Sequence, residues 1–390
     1  MRICCVCGAR PNFMKIAAVV EAFRARPELE TAIVHTGQHY DSKLSKAIFD
    51  DLGLPRPDVD LEVGSASHVV QTAEIMKRFE PVVEELRPDL VLVVGDVNST
   101  VACSLVATKL GIAVAHVEAG LRSFDRSMPE EINRIVTDAL SHLLFVSEES
   151  GMVNLRREGV PEDNLFFVGN VMIDTLLRHR ERAEASQILR ELALEPGGYA
   201  VLTLHRPSNV DDPEVFGRLA GSFSEIGREL PVVFPVHPRT RARLDAHPVL
   251  AEAEAAGAVR LVDPLAYLDF LKLMAEASVV LTDSGGIQEE TTILQVPCLT
   301  LRENTERPAT VTAGLNSVVG TDPRAILDAF RAARGGARSA SPPEGWDGRA
   351  GERIAAALAG LDRESLERLV AGRTVVAAGG LGAAAVAASR

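Results

Sequence analysis

The sequence is poor in aromatic residues: they make up 4% of 390, with one Trp and three Tyr. Stacking platforms for single-stranded nucleic acid or carbohydrate chains are therefore scarce, and any bound sugar is expected to be held by hydrogen bonds. Basic charge is also in deficit. Lys and Arg number 41 against 54 Asp and Glu, a formal charge of −13 that repels a phosphate backbone, so nucleic acid is not an expected partner. Five cysteines are too few for a disulfide framework, and Cys4, Cys5 and Cys7 crowd one short apolar run, where they read as core. Cys5-x-Cys7 has too short a gap for zinc, and Cys103 and Cys298 stand alone, so no metal is expected. No apolar stretch has membrane-spanning length and no charged leader with an apolar core opens the chain. The expectation is a cytoplasmic protein without a membrane partner.

What is present is an ordinary globular mixture, 46% hydrophobic and 24% charged, in a chain long enough for two domains at ~150 residues each. Short, wholly apolar runs alternate with helical periodicity. Ile3 to Val6, Thr31 to His35, Leu90 to Val94 and Ala113 to Val117 read as strands, with helices over Pro11 to Phe23 and Val69 to Leu86. A second series follows, with strands at Ala200 to Leu204, Val232 to Val236, Val259 to Val262, Val279 to Thr282 and Cys298 to Leu301. Fully apolar strands separated by helices imply parallel sheets covered on both faces. The expected fold is therefore α/β, two Rossmann-like doubly wound domains facing a cleft. The expected domains are 1–169, 170–361, whose last helix at about 349–361 is placed to pack back on the first domain, and an Ala/Gly-rich tail, 362–390, with a mobile tip.

In parallel sheets, ligands bind beyond the carboxyl ends of the strands, so the residues following each strand are the first candidates. Gly8-Ala9-Arg10-Pro11, with Lys15 a turn further on, offers two cations at a helix start. Asp96 follows the strand ending at Gly95. His116 and Glu118 share one face of the next strand by period two. Pro129-Glu130-Glu131-Ile132-Asn133-Arg134 opens a helix whose first turn favours carboxylates. Clustered carboxylates can serve as acid and base for proton movement on a sugar carbon. In the second series His205 and His237 follow strands, although a lone His is more often structural. Asp283-Ser284-Gly285-Gly286 leads from strand to helix, where backbone N–H groups, the Ser284 hydroxyl and the helix dipole suit a phosphate. Glu290 is placed to accept from ribose hydroxyls. The pattern is neither a Walker A loop nor a three-glycine dinucleotide fingerprint. Arg307 either joins the phosphate site or pairs with Glu306.

Taken together these segments resemble the non-hydrolysing UDP-N-acetylglucosamine 2-epimerases, whose architecture is of the GT-B type. The likeness runs from Gly8-Ala9-Arg10-Pro11 through Thr36-Gly37-Gln38-His39, Gly95-Asp96, His116 to Arg122, Pro129 to Arg134, His205-Arg206 and Pro235-Val236-His237. It continues through Thr282 to Glu290, Thr305 to Pro308 and Gly320-Thr321-Asp322 to Trp346-Asp347-Gly348. It implies reversible conversion of UDP-GlcNAc to UDP-ManNAc without a cofactor, by elimination of UDP to a 2-acetamidoglucal and re-addition, in a homodimer. Asp96, Glu118, Glu130, Glu131 and His205 carry over as catalytic. Arg10, Lys15, Arg134, His237, Ser284, Gly285, Gly286, Glu290 and Arg307 carry over as contacts to the UDP-sugar.

The chain departs from the pattern at Tyr40-Asp41-Ser42, and it has no counterpart of an Arg around Ser65 to His68, where many members bind a second substrate molecule as activator. The loop from Ser123 to Met128 is shorter than in many relatives, and Ser208 replaces a common Glu. The alternatives are a 2-epimerase of a UDP-2,3-diacetamido uronic acid, a hydrolysing 2-epimerase, a GT-B glycosyltransferase and a UDP-sugar sensor.

Overall fold

A computed structural model describes residues 1–37, 51–236, 240–241, 248–334 and 341–372, with Arg10, Pro11 and Pro248 described by backbone alone. The chain forms two units, Met1–Thr175 joined by the segment from Glu344, and Leu176–Pro343.

The first unit holds a seven-stranded parallel sheet. Its strands are β1 (Arg2–Cys7), β2 (Glu30–His35), β3 (Val59–Asp60), β4 (Leu90–Val94), β5 (Ala113–Ala119), β6 (Leu143–Val146) and β7 (Leu165–Phe167), in the order β3-β2-β1-β4-β5-β6-β7. The second unit holds β8 (Ala200–Thr203), β9 (Val232–Pro235), β10 (Val259–Val262), β11 (Val279–Thr282), β12 (Cys298–Thr300) and β13 (Asn316–Val318), ordered β10-β9-β8-β11-β12-β13. Every strand pair is parallel. The central strands are buried on both faces, which is why they read as unbroken apolar runs. Strands β3, β6, β7 and β13, two to four residues each, go unread in the sequence. In each sheet the strand order reverses once, between β1 and β4 and between β8 and β11. Ligand sites of open α/β sheets form at such switch points.

All five cysteines are free and buried, as core residues should be. Burial pushes the Cys4 and Cys298 thiols up to about 12, so neither is ionised near neutrality.

The division of the chain differs from boundaries at 169/170 and 361. Gly169 belongs to the first unit. Its φ of +84° and the absence of a side chain let Gly345 lie against it, since a Cβ there would fall 1.9 Å from the Gly345 oxygen. Trp346 is buried beside this contact and donates from Nε1 to the Ser147 carbonyl at 2.9 Å. The helix Ala350–Ala359 then returns to the first unit and packs on the helix Arg10–Arg24, with Gly351 against the backbone of Ala18. Its N-terminus is capped from a distance: Asp174 accepts from the N–H groups of Ala350 and Gly351 at 3.1 and 2.7 Å. Of the expected tail, Arg363–Val370 is helical and capped by the Asp362 side chain, whereas residues 373–390 lie outside the described residues.

Burial raises the Asp174 carboxyl from 3.8 to about 6, against the opposing pull of its two N–H donors. The folded chain therefore holds this proton more tightly than the unfolded chain. The stability contribution is full below pH 3.8 and is lost as pH rises through 6. Two pH units correspond to about 3 kcal/mol. Urea denaturation at pH 4 and pH 7 should show that loss in the parent and not in Asp174→Asn; equal pH slopes would contradict the assignment.

Candidate active site

At the first switch point β4 is followed by Gly95, whose φ is +66° and where a Cβ would lie 2.9 Å from Lys15 Nζ. The glycine thus lets the lysine approach the strand end. Asp96 is held from the helix Pro129–Leu140: Arg134 Nη2 meets its Oδ2 at 2.5 Å, and Asn133 Nδ2 donates to its carbonyl at 2.9 Å. Arg134 is almost wholly buried, and its Nη1 donates to Glu131 Oε2 at 2.9 Å. Glu131 also accepts from the Ser123 N–H and hydroxyl and from the Phe124 N–H, at 2.9 to 3.0 Å. Both residues were expected to meet the substrate. In this structure the Glu131 carboxylate anchors the 123–124 loop and Arg134 aligns Asp96.

Glu118 departs from the period-two expectation. The pairing of β5 with β6 shifts register between Val117 and Ala119, and Glu118 takes a φ of +72°. The bulge separates Glu118 from His116. Glu118 is buried against the Lys15 ammonium as an ion pair. Lys15, expected at the diphosphate, is thus engaged at the carboxylate cluster. His116 lies in the interior with Nδ1 2.6 Å from Asp138 Oδ1 and Nε2 2.8 Å from the Gly95 carbonyl. Burial pushes the Asp138 carboxyl up, but His116 and Arg122 outweigh it and hold the group below the ordinary carboxylate range. Glu130, at the start of its helix, is half-buried and makes no ion pair or hydrogen bond among the described residues.

At the second switch point His205 follows β8 and Asp283 follows β11. Asp283 is fully buried and collects donors: the His205 and Arg206 N–H groups at 3.2 and 2.9 Å, Asn209 Nδ2 at 3.2 Å and His205 Nδ1 at 3.0 Å. Burial raises this carboxyl, yet His205 and the two backbone N–H groups together hold it low. The His205 side chain remains 42% exposed, so Asp283 orients a histidine that stays accessible. The sequence reading assigned Asp283 no role; its one signal is a charge directly after an apolar strand.

Ser284 precedes the helix Gly285–Leu294 and is half-buried. Gly285 is required by close packing, since a Cβ would fall 2.5 Å from Arg307 Nη1 and 2.8 Å from Glu306 Oε1. Arg307 is paired in this structure: its Nε meets Glu289 at 2.7 Å and its Nη1 meets Glu306 at 2.6 Å, with Arg302 on the other oxygen of Glu306 at 2.8 Å. Gly286 is half-buried beside Gly285, and Glu290 is buried with Tyr267 Oη 3.3 Å away. His237 and Gln38 to Ser42 lie outside the described residues, and Arg10 enters only through its backbone at a helix start. No helix among the described residues is long and apolar enough to cross a membrane.

A family model described as UDP-N-acetylglucosamine 2-epimerase matches residues 21–359. The chain is 44% identical over 330 residues to a UDP-N-acetylglucosamine 2-epimerase homolog of Methanococcus maripaludis, covering 84% of this chain and 91% of the relative. It is 38% identical over 364 residues to a UDP-2,3-diacetamido-2,3-dideoxy-D-glucuronate 2-epimerase of Pseudomonas aeruginosa, covering 93% of this chain and 100% of the relative. It is similar to the crystal structure of Methanocaldococcus jannaschii UDP-GlcNAc 2-epimerase in complex with UDP-GlcNAc and UDP, with a TM-score of 0.87 at 40% identity, over 92% of this chain and 99% of that one. The fold thus recurs in proteins matched along nearly their whole length, and the chain belongs to the UDP-N-acetylglucosamine 2-epimerase family, with its GT-B-like fold.

Proposed function

We propose that this enzyme interconverts UDP-GlcNAc and UDP-ManNAc by inverting C2. The observation that carries the reading is the pair of ion-paired carboxylates at one switch point, Asp96 with Arg134 and Glu118 with Lys15. The C2 hydrogen of such a sugar has no neighbouring carbonyl to acidify it. Its proton leaves to a carboxylate only as the C1–oxygen bond breaks, the bonding pair passing to the β-phosphate oxygen and a C1–C2 double bond forming. A second carboxyl group then protonates the opposite face of C2 while the diphosphate oxygen re-forms the bond to C1. Asp96, Glu118 and Glu130 supply these proton transfers, with Arg134 holding Asp96 and Lys15 holding Glu118 in place.

The second unit holds the nucleotide. The start of the helix Gly285–Leu294, with Ser284, Gly285 and Gly286, receives the diphosphate, Glu290 the ribose, and His205 the charge that develops on the departing oxygen. His237 and Arg10 join this set on family membership alone. No cofactor enters the scheme. A second reading has a specific support: the Pseudomonas relative acts, by its name, on a 2,3-diacetamido uronate, so a substrate carboxylated at C6 competes with UDP-GlcNAc.

Family membership supports extending the proposal to a homodimer acting in the cytoplasm. The helix Pro129–Leu140 adds a physical reason for the homodimer. It buries Glu131, Arg134, Thr137 and Asp138 and exposes Ile132 and Val136 one turn apart, with Phe124 exposed as well. Sedimentation equilibrium at micromolar concentration should give twice the chain mass.

Incubation with UDP-GlcNAc in D2O should place deuterium at C2 of retained UDP-sugar, with UDP-ManNAc appearing. Free sugar with UDP would instead indicate hydrolysis, an acceptor requirement without exchange would indicate glycosyl transfer, and binding without turnover a sensor. Turnover of only the diacetamido uronate would move the substrate to the second reading. Asp96→Asn, Glu118→Gln and His205→Ala should each lower kcat by roughly 10²-fold or more, the usual range for acid–base and charge-stabilising groups. Gly285→Ala should weaken UDP binding by about tenfold in calorimetry, as the added methyl forces apart the Arg307–Glu306 pair packed against the helix start that receives the diphosphate.

A further inference from the structure

We propose that Asp138 and His116 form a staple across the bulge in β5 and thereby act as positioning residues for Glu118 and Asp96. The inference rests on the catalytic reading of those two carboxylates. Glu118 adopts a left-handed backbone that is strained for a side-chain-bearing residue, and such a conformation persists only where the surroundings over-determine it. The surroundings here are identifiable. One oxygen of Asp138 takes the Nδ1 side of His116 at 2.6 Å, and the other accepts the Gly120 N–H at 3.0 Å. These partners stand two residues before and two residues after Glu118, so a single carboxylate spans the bulge from both sides.

The staple extends to the neighbouring strand. His116 Nε2 lies 2.8 Å from the Gly95 carbonyl, and the Gly95 N–H donates to the Val117 carbonyl at 3.0 Å. Gly95 is the residue before Asp96, so the same imidazole links the backbone supports of both carboxylates. Both ring nitrogens lie within hydrogen-bond distance of oxygen atoms, which leaves the ring no freedom to turn. Arg122 Nη1, 2.7 Å from Asp138 Oδ2, and Glu158, which takes Arg122 in turn, complete the set. Asp138 lies on the helix Pro129–Leu140, on the face that carries Glu131 and Arg134 at helical spacing. One helix face therefore fixes Asp96 through Arg134 and Glu118 through Asp138.

None of these groups reaches a substrate, because His116 and Asp138 are at most 3% exposed. Their effect must be on placement, and displacing a reacting group by about 1 Å can cost ~10²-fold. The test compares variants by kcat, by KM and by calorimetric affinity for UDP. Asp138→Ala should lower kcat by about 10²-fold and leave UDP affinity unchanged, since the second unit holds the nucleotide. Asp138→Asn should recover kcat to within about tenfold of the parent. Its amide oxygen still accepts from Gly120, and its NH₂ can donate to His116 Nδ1 while Nε2–H keeps the Gly95 carbonyl. His116→Ala leaves Asp138 paired with Arg122. It should repeat the kcat loss and provides the measurement if Asp138→Ala does not fold.

Parent-like kcat in both alanine variants would overturn the staple. So would an Asp138→Asn variant as impaired as Asp138→Ala, or a UDP affinity that falls in step with kcat. Glu118→Gln, assayed alongside, separates the two layers of the argument. If it is fully active, the catalytic reading of Glu118 fails; if it is inactive while the alanine variants are not, only the staple fails.

Discussion

A charge buried at the end of a strand must be met by an opposite charge or by several N–H groups, and this requirement shapes both sheet edges. In the first unit the answer is ion pairing across elements: Asp96 with Arg134, Glu118 with Lys15 and Asp138 with Arg122. In the second it is donor collection, with Asp283 drawing on two backbone N–H groups, an amide and an imidazole. Removing one partner from such a set leaves its counterpart buried and uncompensated, so the local geometry is strongly specified. The same residues that make these edges costly to rearrange also hold the accessible groups, Asp96 and His205, in one orientation.

The architecture was legible because parallel strands covered on both faces must be apolar over their buried length, as Ile3 to Cys7 of β1, all of β4, Ala200 to Leu202 of β8 and Val279 to Leu281 of β11 are. Reading the residue just beyond each strand then led to Asp96, His205 and the Ser284-Gly285-Gly286 turn. The supporting partners were not legible. His116 and Asp138 are 22 residues apart, His205 and Asp283 are 78, and Asp174 and Ala350 are 176. Sheet order and helix docking decide such pairings, and no local pattern announces them. Glu118 shows a different limit: alternation held until the register shift, and a bulge has no signature in residue type when its positive-φ position is occupied by Glu.

The helix Pro129–Leu140 inverts the usual logic of amphipathic helices. Its buried face is ionic and its apolar residues Ile132 and Val136 face outward. An inward polar stripe stabilises a helix only if each group finds its partner, and here Glu131, Arg134 and Asp138 all do. The stripe therefore specifies one placement of the helix on the sheet, which a slippery apolar face would specify less sharply. Precision at Asp96 and Glu118 is a consequence of that trade.

The contrast between the two edges follows from the chemistry proposed for them. A carboxylate is a weak base, and a C2 hydrogen without an adjacent carbonyl is a weak acid, so a base alone cannot drive the elimination. The deficit has to be made up where negative charge appears, on the diphosphate oxygen leaving C1. That places the demand for dipoles and donors on the nucleotide-holding unit, where a helix start without side chains at Gly285 and Gly286 and an accessible histidine are found. The carboxylate edge has the complementary task of presenting proton acceptors in fixed positions, and an edge built from buried ion pairs and a stapled bulge suits placement better than charge stabilisation.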